Sequence, residues 1–249
     1  MELKPKKAVK YWEMSKTDDN VGEISIYGEI VSEKWFDEET SATSFKDDLN
    51  DLGDVDTINL HINSPGGSVF EGIAIHNMLK MHKATVNVYV DGLAASIASV
   101  IAMSGDTIFM PENAMLMIHN PWTFAMGNAK ELRKQADDLD RIAQASIKTY
   151  LSKSNGKIDE ETLVKLLDEE TWLSAQEAVD YGLADEVLEA NQAVASLPGE
   201  FLERYKRVPS QLRKKSALTS SINRQKLITQ ANNKIAYVNN TLGGINKWV

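Results

Sequence analysis

The chain has 249 residues, of which 43% are hydrophobic and 25% charged, a composition that allows one globular domain with an appendage or two small domains. It contains no cysteine, which excludes disulfides, thiolate metal sites and a cysteine nucleophile. The N-terminus lacks the apolar core of a signal peptide, and no stretch approaches the ~18 apolar residues of a membrane span. We therefore expect a cytoplasmic protein without a membrane anchor.

The charge of the chain is unevenly distributed. Between Ser196 and Val249, ten Lys and Arg residues face two Glu residues, a net charge of +8, whereas the whole chain carries −9. Such a step marks an organisational boundary. It predicts three parts: an N-terminal arm over residues 1–16, a main domain over 17–190 and a basic C-terminal extension over 191–249. Because no base-reading motif accompanies the basic residues, we do not expect nucleic-acid binding.

The hydrophobic pattern alternates between strand and helix periods along the main domain. Strand-like alternation begins at Glu23 and returns twice before the middle of the chain, each time followed by helical spacing. In chain order the predicted elements are a strand near 23–30, a helix over 40–52, a strand near 57–63, a helix over 69–82, a strand near 86–90, a helix over 93–103, strands near 107–110 and 115–119, and helices over 128–151, 160–167 and 174–181. This alternation predicts an α/β fold with parallel strands and crossover helices.

Three local features carry groups that acyl-transfer chemistry needs. The turn at Gly66 and Gly67 presents backbone N–H groups after a strand, Ser96 follows two alanines at a strand-to-helix turn, and His119 ends an apolar strand. Taken singly, these features are typical of a tight turn, a helix cap and a structural histidine. In this order they provide a nucleophile, a base and N–H donors for an oxyanion.

Four sequence blocks, at 62–67, 92–96, 117–121 and 174–185, resemble in order and spacing the signature blocks of the Clp protease proteolytic subunit. The similarity covers roughly residues 22–189. The N-terminus and the basic extension are most similar to the phage and prophage branch of that family, regarded as head maturation proteases. The resemblance implies a Clp protease- or crotonase-like spiral fold in which the helix at 128–151 is a protruding handle.

The resemblance also implies roles for individual residues. It assigns the nucleophile Ser96, the general base His119, oxyanion-hole N–H groups of Gly67 and Ile97, and substrate contacts at Gly66, Pro121 and Trp122.

The third member of the triad departs from the family pattern. The family has an aspartate two residues before an aromatic residue, whereas here Glu170 stands two before Trp172. Asp168 is the second candidate. Glutamate is able to orient an imidazole but is one methylene longer. The competing interpretation places both carboxylates in an acidic surface run.

The implied function is a serine endopeptidase that needs no ATP by itself and no metal or organic cofactor. The implied partners are a polypeptide substrate and further copies of the chain in a homo-oligomeric ring, a heptamer or a double ring. Phage capsid or scaffold protein is the preferred substrate, which places the protein in the bacterial host cytoplasm or a procapsid.

Four other functions remain open at this stage. The first is a housekeeping proteolytic subunit that works with a Clp ATPase unfoldase, and the second is an inactive ring or scaffold subunit. An acyl-CoA hydratase or isomerase would share the oxyanion hole without needing Ser96 and His119. A serine–lysine peptidase would need a lysine base where His119 stands.

Overall fold

The structure is a computed structural model that describes residues 10–35, 38–190 and 203–209. The chain divides into two units after Val208, and the fold described here is that of the first unit. The first nine residues of the predicted N-terminal arm and most of the predicted C-terminal extension lie outside the described residues. The predicted boundary at residue 190 therefore stays a prediction.

The main element is an eight-stranded, mostly parallel sheet. Its path runs β1-β2-β5-β6-β7-β10, while β8 pairs with the end of β6 and β9 pairs with β8. All pairs are parallel except β1 with β2 and β8 with β9. The strands of this sheet are β1 (Trp12–Lys16), β2 (Val21–Tyr27), β5 (Thr57–Ser64), β6 (Thr85–Ala95), β7 (Thr107–Pro111), β8 (Met115–Ile118), β9 (Thr171–Ser174) and β10 (Glu186–Leu188). A separate hairpin consists of β3 (Glu33–Trp35) and β4 (Glu38–Thr40).

Helices connect most of the parallel strands. They are α1 (Ala42–Asp51), α2 (Val69–Lys80), α3 (Ile97–Ala102), α4 (Ala129–Ser154), α5 (Glu160–Asp168) and α6 (Ala175–Asp180). Parallel neighbours need crossover connections, which the helices α2 and α3 provide between β5, β6 and β7. The mixed α/β fold with parallel strands is thus confirmed.

The burial of each element follows its sequence pattern. In β5 every second side chain is buried, with Ile58, Leu60 and Ile62 at 0% exposure. Helix α3 is buried on all sides, as its unbroken run of small and apolar residues predicted. Ser96 is the N-cap residue of this helix, so the turn that carries it leads directly into the buried interior.

The N-terminal strand differs from the predicted arm. Residues Trp12–Lys16 pair with β2 along the edge of the sheet, and Tyr11 and Trp12 are buried. Trp12 packs edge-on against Phe45 and donates its indole N–H to Asp48 at 2.7 Å. The lysine-rich composition indicated an arm, but two large aromatic side chains stabilise the edge strand by burial.

The long helix α4 is anchored only by its C-terminal half. It begins with a capping box between Asn128 and Glu131, and its buried residues are Ala143, Ile147, Tyr150 and Ser154. Residues 129–137 are all exposed. The first turns of this helix thus bury no side chain within the chain itself.

Tyr150 connects α4 to the residue that precedes α3. Its hydroxyl lies 2.7 Å from the Ser99 hydroxyl in the buried interior, and Ser99 in turn donates to the carbonyl of Ser96 at 2.5 Å. Burial raises the pKa of Tyr150 well above its usual range, so the phenol stays protonated and is able to donate.

We expect Tyr150→Phe to lower the free energy of unfolding by about 1 kcal/mol, since it removes one buried hydrogen bond while preserving the packing. Urea unfolding of the variant and of wild type measures the difference. Tyr181→Phe is the matched control, because Tyr181 is only partly buried. An unchanged midpoint for Tyr150→Phe would contradict a stabilising role for this contact.

Candidate active site

The carboxyl ends of three adjacent parallel strands meet at one edge of the sheet. The glycine turn follows β5, Ser96 follows β6, and His119 follows β8. Ala94 in β6 pairs with Ser64 on one side and with Leu116 on the other. Because parallel strands end together, three sequence-distant features come into contact, at the position where α/β folds commonly place their sites.

Ser96 lies on a strained turn between β6 and α3. Its φ of 55° and ψ of −130° lie outside the regions that non-glycine residues usually adopt. Its backbone N–H donates to the carbonyl of Met117 at 2.9 Å, which fixes the turn against β8. Such strain at a strand-to-helix turn is typical of an elbow that exposes a serine side chain.

The side chains of His119 and Ser96 form a hydrogen bond. His119 Nε2 lies 2.8 Å from Ser96 Oγ. Burial lowers the pKa of His119 below 6.5, the nearby Glu170 charge raises it, and Lys206 lowers it again. The net effect favours the neutral imidazole at neutral pH, the form that accepts a proton from a hydroxyl.

The glycine turn packs directly against Ser96. Ser64 organises it by donating to the carbonyl of Gly28 at 2.6 Å and accepting the N–H of Gly66 at 3.1 Å. A Cβ at Gly66 would lie 2.7 Å from the Ser96 Cβ, so no other residue fits there without displacing the serine.

Two backbone N–H groups are available beside the serine. Gly67 pairs as a parallel bridge with Ile30, whose N–H and carbonyl bond to Gly66 and Ser68. The N–H of Gly67 itself therefore points away from Ile30. Ile97 is the first residue of α3, so its N–H has no acceptor within the helix. These are donors that an oxyanion hole requires.

The two carboxylates considered for the third position have different surroundings. Thr171 pairs with Ile118, which brings the preceding residue, Glu170, near His119. Glu170 nevertheless accepts backbone N–H groups from Lys206 at 2.9 Å and from Arg207 at 2.6 Å.

Asp168 is exposed and accepts a hydrogen bond from the side chain of Asn120 at 2.6 Å. Among the described residues, the only hydrogen bond of the His119 ring is the one to Ser96. Neither carboxylate orients the imidazole directly in this arrangement, although the Glu170 charge is close enough to affect the pKa of His119.

A cavity of about 150 Å³ adjoins the serine and histidine. Pro121 and Trp122, expected as substrate contacts, line it together with Gly67, whereas Gly66 lies beneath Ser96. Five further residues complete the lining and were not predicted from the sequence, namely Glu29, Pro65, Val69, Arg204 and Tyr205. Arg204 and Tyr205 belong to the segment that the sequence predicts to be a basic C-terminal extension.

Within the described ranges, no three His, Asp or Glu side chains come together as a metal site would require. In the same ranges no helix has both the length and the apolar character needed to cross a membrane.

Comparison with known proteins connects this geometry to a family. The family model described as Clp protease matches residues 29–191. The ATP-dependent Clp protease proteolytic subunit of Ligilactobacillus salivarius (strain UCC118) is 36% identical over 139 residues, covering 55% of this chain and 70% of that protein. A solved structure of a ClpP1 mutant from Listeria monocytogenes superposes with a TM-score of 0.57 at 31% identity, covering 68% of this chain and 91% of that one.

Proposed function

The chain belongs to the Clp protease family, and on that premise we propose that it is a serine endopeptidase with Ser96 as nucleophile and His119 as general base. The observation that carries the proposal is the 2.8 Å contact between Ser96 Oγ and His119 Nε2, on a strained elbow beside the backbone N–H groups of Gly67 and Ile97. A helix cap or a structural histidine requires neither the strain nor the contact.

The proposed reaction follows from these positions. His119 Nε2 takes the proton of Ser96 Oγ as the oxygen attacks the peptide carbonyl, and the N–H groups of Gly67 and Ile97 stabilise the oxyanion. The protonated His119 then gives this proton to the leaving amine, which yields an acyl-enzyme on Ser96. His119 then takes a proton from water as the water oxygen attacks the ester, and returns that proton to Ser96 Oγ as the second product leaves.

We expect kcat/KM to rise with pH along an acid limb whose midpoint lies below 6.5, the ordinary pKa of histidine. The base must be neutral to act, and burial lowers the pKa of His119, so activity persists to more acidic pH than an exposed histidine would allow. Hydrolysis of a fluorogenic peptide across pH 4.5–8 measures this limb. A midpoint above 6.5 would show that another group controls the reaction.

We propose Glu170 rather than Asp168 as the carboxylate that acts on His119. Its charge raises the pKa of His119, so Glu170→Gln should move the acid limb to still lower pH. Asp168→Asn should leave the limb in place, because Asp168 bonds to Asn120 instead. Glu160→Gln, at the exposed start of α5, is the control for loss of one charge. The reverse ranking of the first two variants would assign the role to Asp168.

We propose a homo-oligomeric ring as the working form, a heptamer or a double ring. The support is helix α4, whose exposed first turns bury no side chain within the chain and are free to contact other copies. Analytical ultracentrifugation tests the assembly, and a monomer at all concentrations would contradict it.

For the substrate, we propose the capsid or scaffold protein of a phage head. The support is the expectation from the sequence that the N-terminus and the basic extension, of net charge +8, resemble those of phage members of the family. The alternative, a subunit that works with an ATPase unfoldase, is supported by the L. salivarius relative, which is described as ATP-dependent.

A degradation assay tests the proposed function and separates the two substrates. Wild type should cleave an unfolded, dye-labelled protein without ATP, whereas Ser96→Ala should not. Failure of wild type in every assembly state would favour an inactive scaffold. Degradation of a folded, tagged protein only with a Clp ATPase and ATP would favour the housekeeping role, and ATPase-independent cleavage of a co-expressed capsid protein would favour head maturation.

A further inference from the structure

Part of the C-terminal extension lies on the candidate active site. Residues 203–208, here the docked segment, follow the main domain in sequence and are the only described part of the chain beyond Ala190 besides Pro209. Tyr205 and Val208 of this segment are buried, with 9% and 6% exposure. Burial of an aromatic side chain within a basic segment requires a specific binding site for it.

Tyr205 occupies the space above the candidate catalytic pair. Its ring packs edge-on between His119 and Trp172, with centroid distances of 5.5 Å and 5.7 Å. Its hydroxyl donates to the carbonyl of Pro65, immediately before the glycine turn. Burial raises the pKa of the Tyr205 phenol, and a weaker interaction with the Ser96 hydroxyl lowers that pKa. The Tyr205 side chain is therefore close to Ser96 as well.

Basic side chains of the docked segment form ion pairs with acidic side chains at the edge of the candidate site, here called the rim. Arg204 forms a two-pronged ion pair with Glu29, with Nη2 at 3.2 Å from Oε2. Arg207 lies 3.8 Å from Glu169. The rim thus offers acidic side chains from two distant parts of the sequence to a basic segment, and this pairing orients Tyr205 toward Ser96.

The backbone of the docked segment engages the carboxylate proposed to assist His119. Both oxygens of Glu170 accept N–H groups, from Lys206 and Arg207. A carboxylate held in this way is not bonded to the imidazole. The segment therefore packs beside the catalytic pair and at the same time holds both oxygens of Glu170 with its own backbone N–H groups.

We propose that residues 203–208 are an intramolecular inhibitor of the peptidase, with Tyr205 as the blocking side chain and Glu29 as the residue that recognises Arg204. We assign it as an inhibitor rather than a bound substrate because the group that contacts His119 is the Tyr205 side chain. A substrate must displace the segment before it reaches Ser96. This inference rests on the proposed function.

The first test measures the rate at which a fluorophosphonate labels Ser96 in the full chain. Tyr205→Ala and Arg204→Glu should each raise the labelling rate and kcat/KM for a short peptide by about fivefold to tenfold, since each removes one interaction that holds the segment in place. Glu29→Arg should act like Arg204→Glu, and the double reversal should restore slow labelling. Glu203→Ala is the matched control, an exposed residue of the same segment whose replacement should leave the rate unchanged.

The second test does not depend on activity. In the Ser96→Ala chain, the amides of Lys206 and Arg207 should exchange slowly with deuterated solvent because they are bonded to Glu170, and Tyr205→Ala should abolish this protection. Exchange as fast as in a free peptide would overturn the docking whether or not the protein is a peptidase.

Two results of the labelling test would also overturn the inhibitor. Equal labelling of wild type, Tyr205→Ala and Arg204→Glu would show that the segment does not obstruct Ser96. Cleavage within residues 203–208 in wild type but not in Ser96→Ala would make the segment a substrate. Absence of labelling in every variant, with the amides still protected, would overturn both the proposed function and inhibition but leave the docking intact.

Discussion

Ser96→Ala is expected to lower kcat for peptide hydrolysis by about 10⁴- to 10⁶-fold, because the acyl-enzyme cannot form without the serine oxygen. His119→Ala should cost a similar factor, and the double variant should be no worse than either single variant. This non-additivity is characteristic of groups that act as one unit. Initial rates with a fluorogenic peptide measure it.

Ser104→Ala is the matched control for this loss. Ser104 is buried just after α3, and its hydroxyl has no hydrogen-bond partner among the described residues. Its removal should leave kcat within about twofold of wild type, because no bond is broken. If Ser96→Ala retained kcat at the level of Ser104→Ala, the hydrolysis would have to arise from another residue.

Gly67→Ala is expected to lower kcat by about 10²- to 10³-fold, the usual cost of one misplaced oxyanion donor. Gly67 has a φ of +148°, and a Cβ there would lie 2.0 Å from the carbonyl oxygen of Ile30. The backbone must move to relieve this contact, which turns the N–H away from the position beside Ser96. The free energy of unfolding should also fall, by about 1–3 kcal/mol.

Gly53→Ala separates the catalytic effect from the conformational one. Gly53 also has a positive φ, +67°, but a Cβ there would meet nothing within 4 Å. The variant should lose about 1 kcal/mol of stability and keep its kcat. If both glycine variants reduced stability but neither reduced kcat, Gly67 would not supply an oxyanion donor.

The positions of Ser96 and His119 relative to the strands could be predicted from the sequence because both residues follow strands. Strand ends are visible in the hydrophobic pattern, and parallel pairing brings the ends of β5, β6 and β8 together. The contact between Ser96 and His119 was therefore predictable. The strained φ of Ser96 is also in line with an exposed elbow, since two small alanines precede it.

The surroundings of the site were not predictable from the same patterns. Glu29 and Glu170 are far apart in sequence and belong to segments without periodicity, so only the fold shows that both face residues 203–208. Charge dominated the interpretation of the extension and concealed Tyr205 among basic neighbours. The N-terminal strand was missed for a related reason, because lysines outnumbered the two buried aromatic residues.

The most direct test of the proposed chemistry is to label the chain with a fluorophosphonate and locate the adduct by peptide mass spectrometry. Wild type, Tyr205→Ala and His119→Ala should be compared with Ser96→Ala. An activated serine predicts an adduct on Ser96 in wild type, faster modification in Tyr205→Ala, and none in the other two variants. No adduct on Ser96 in wild type or in Tyr205→Ala, in any assembly state, would contradict a serine peptidase.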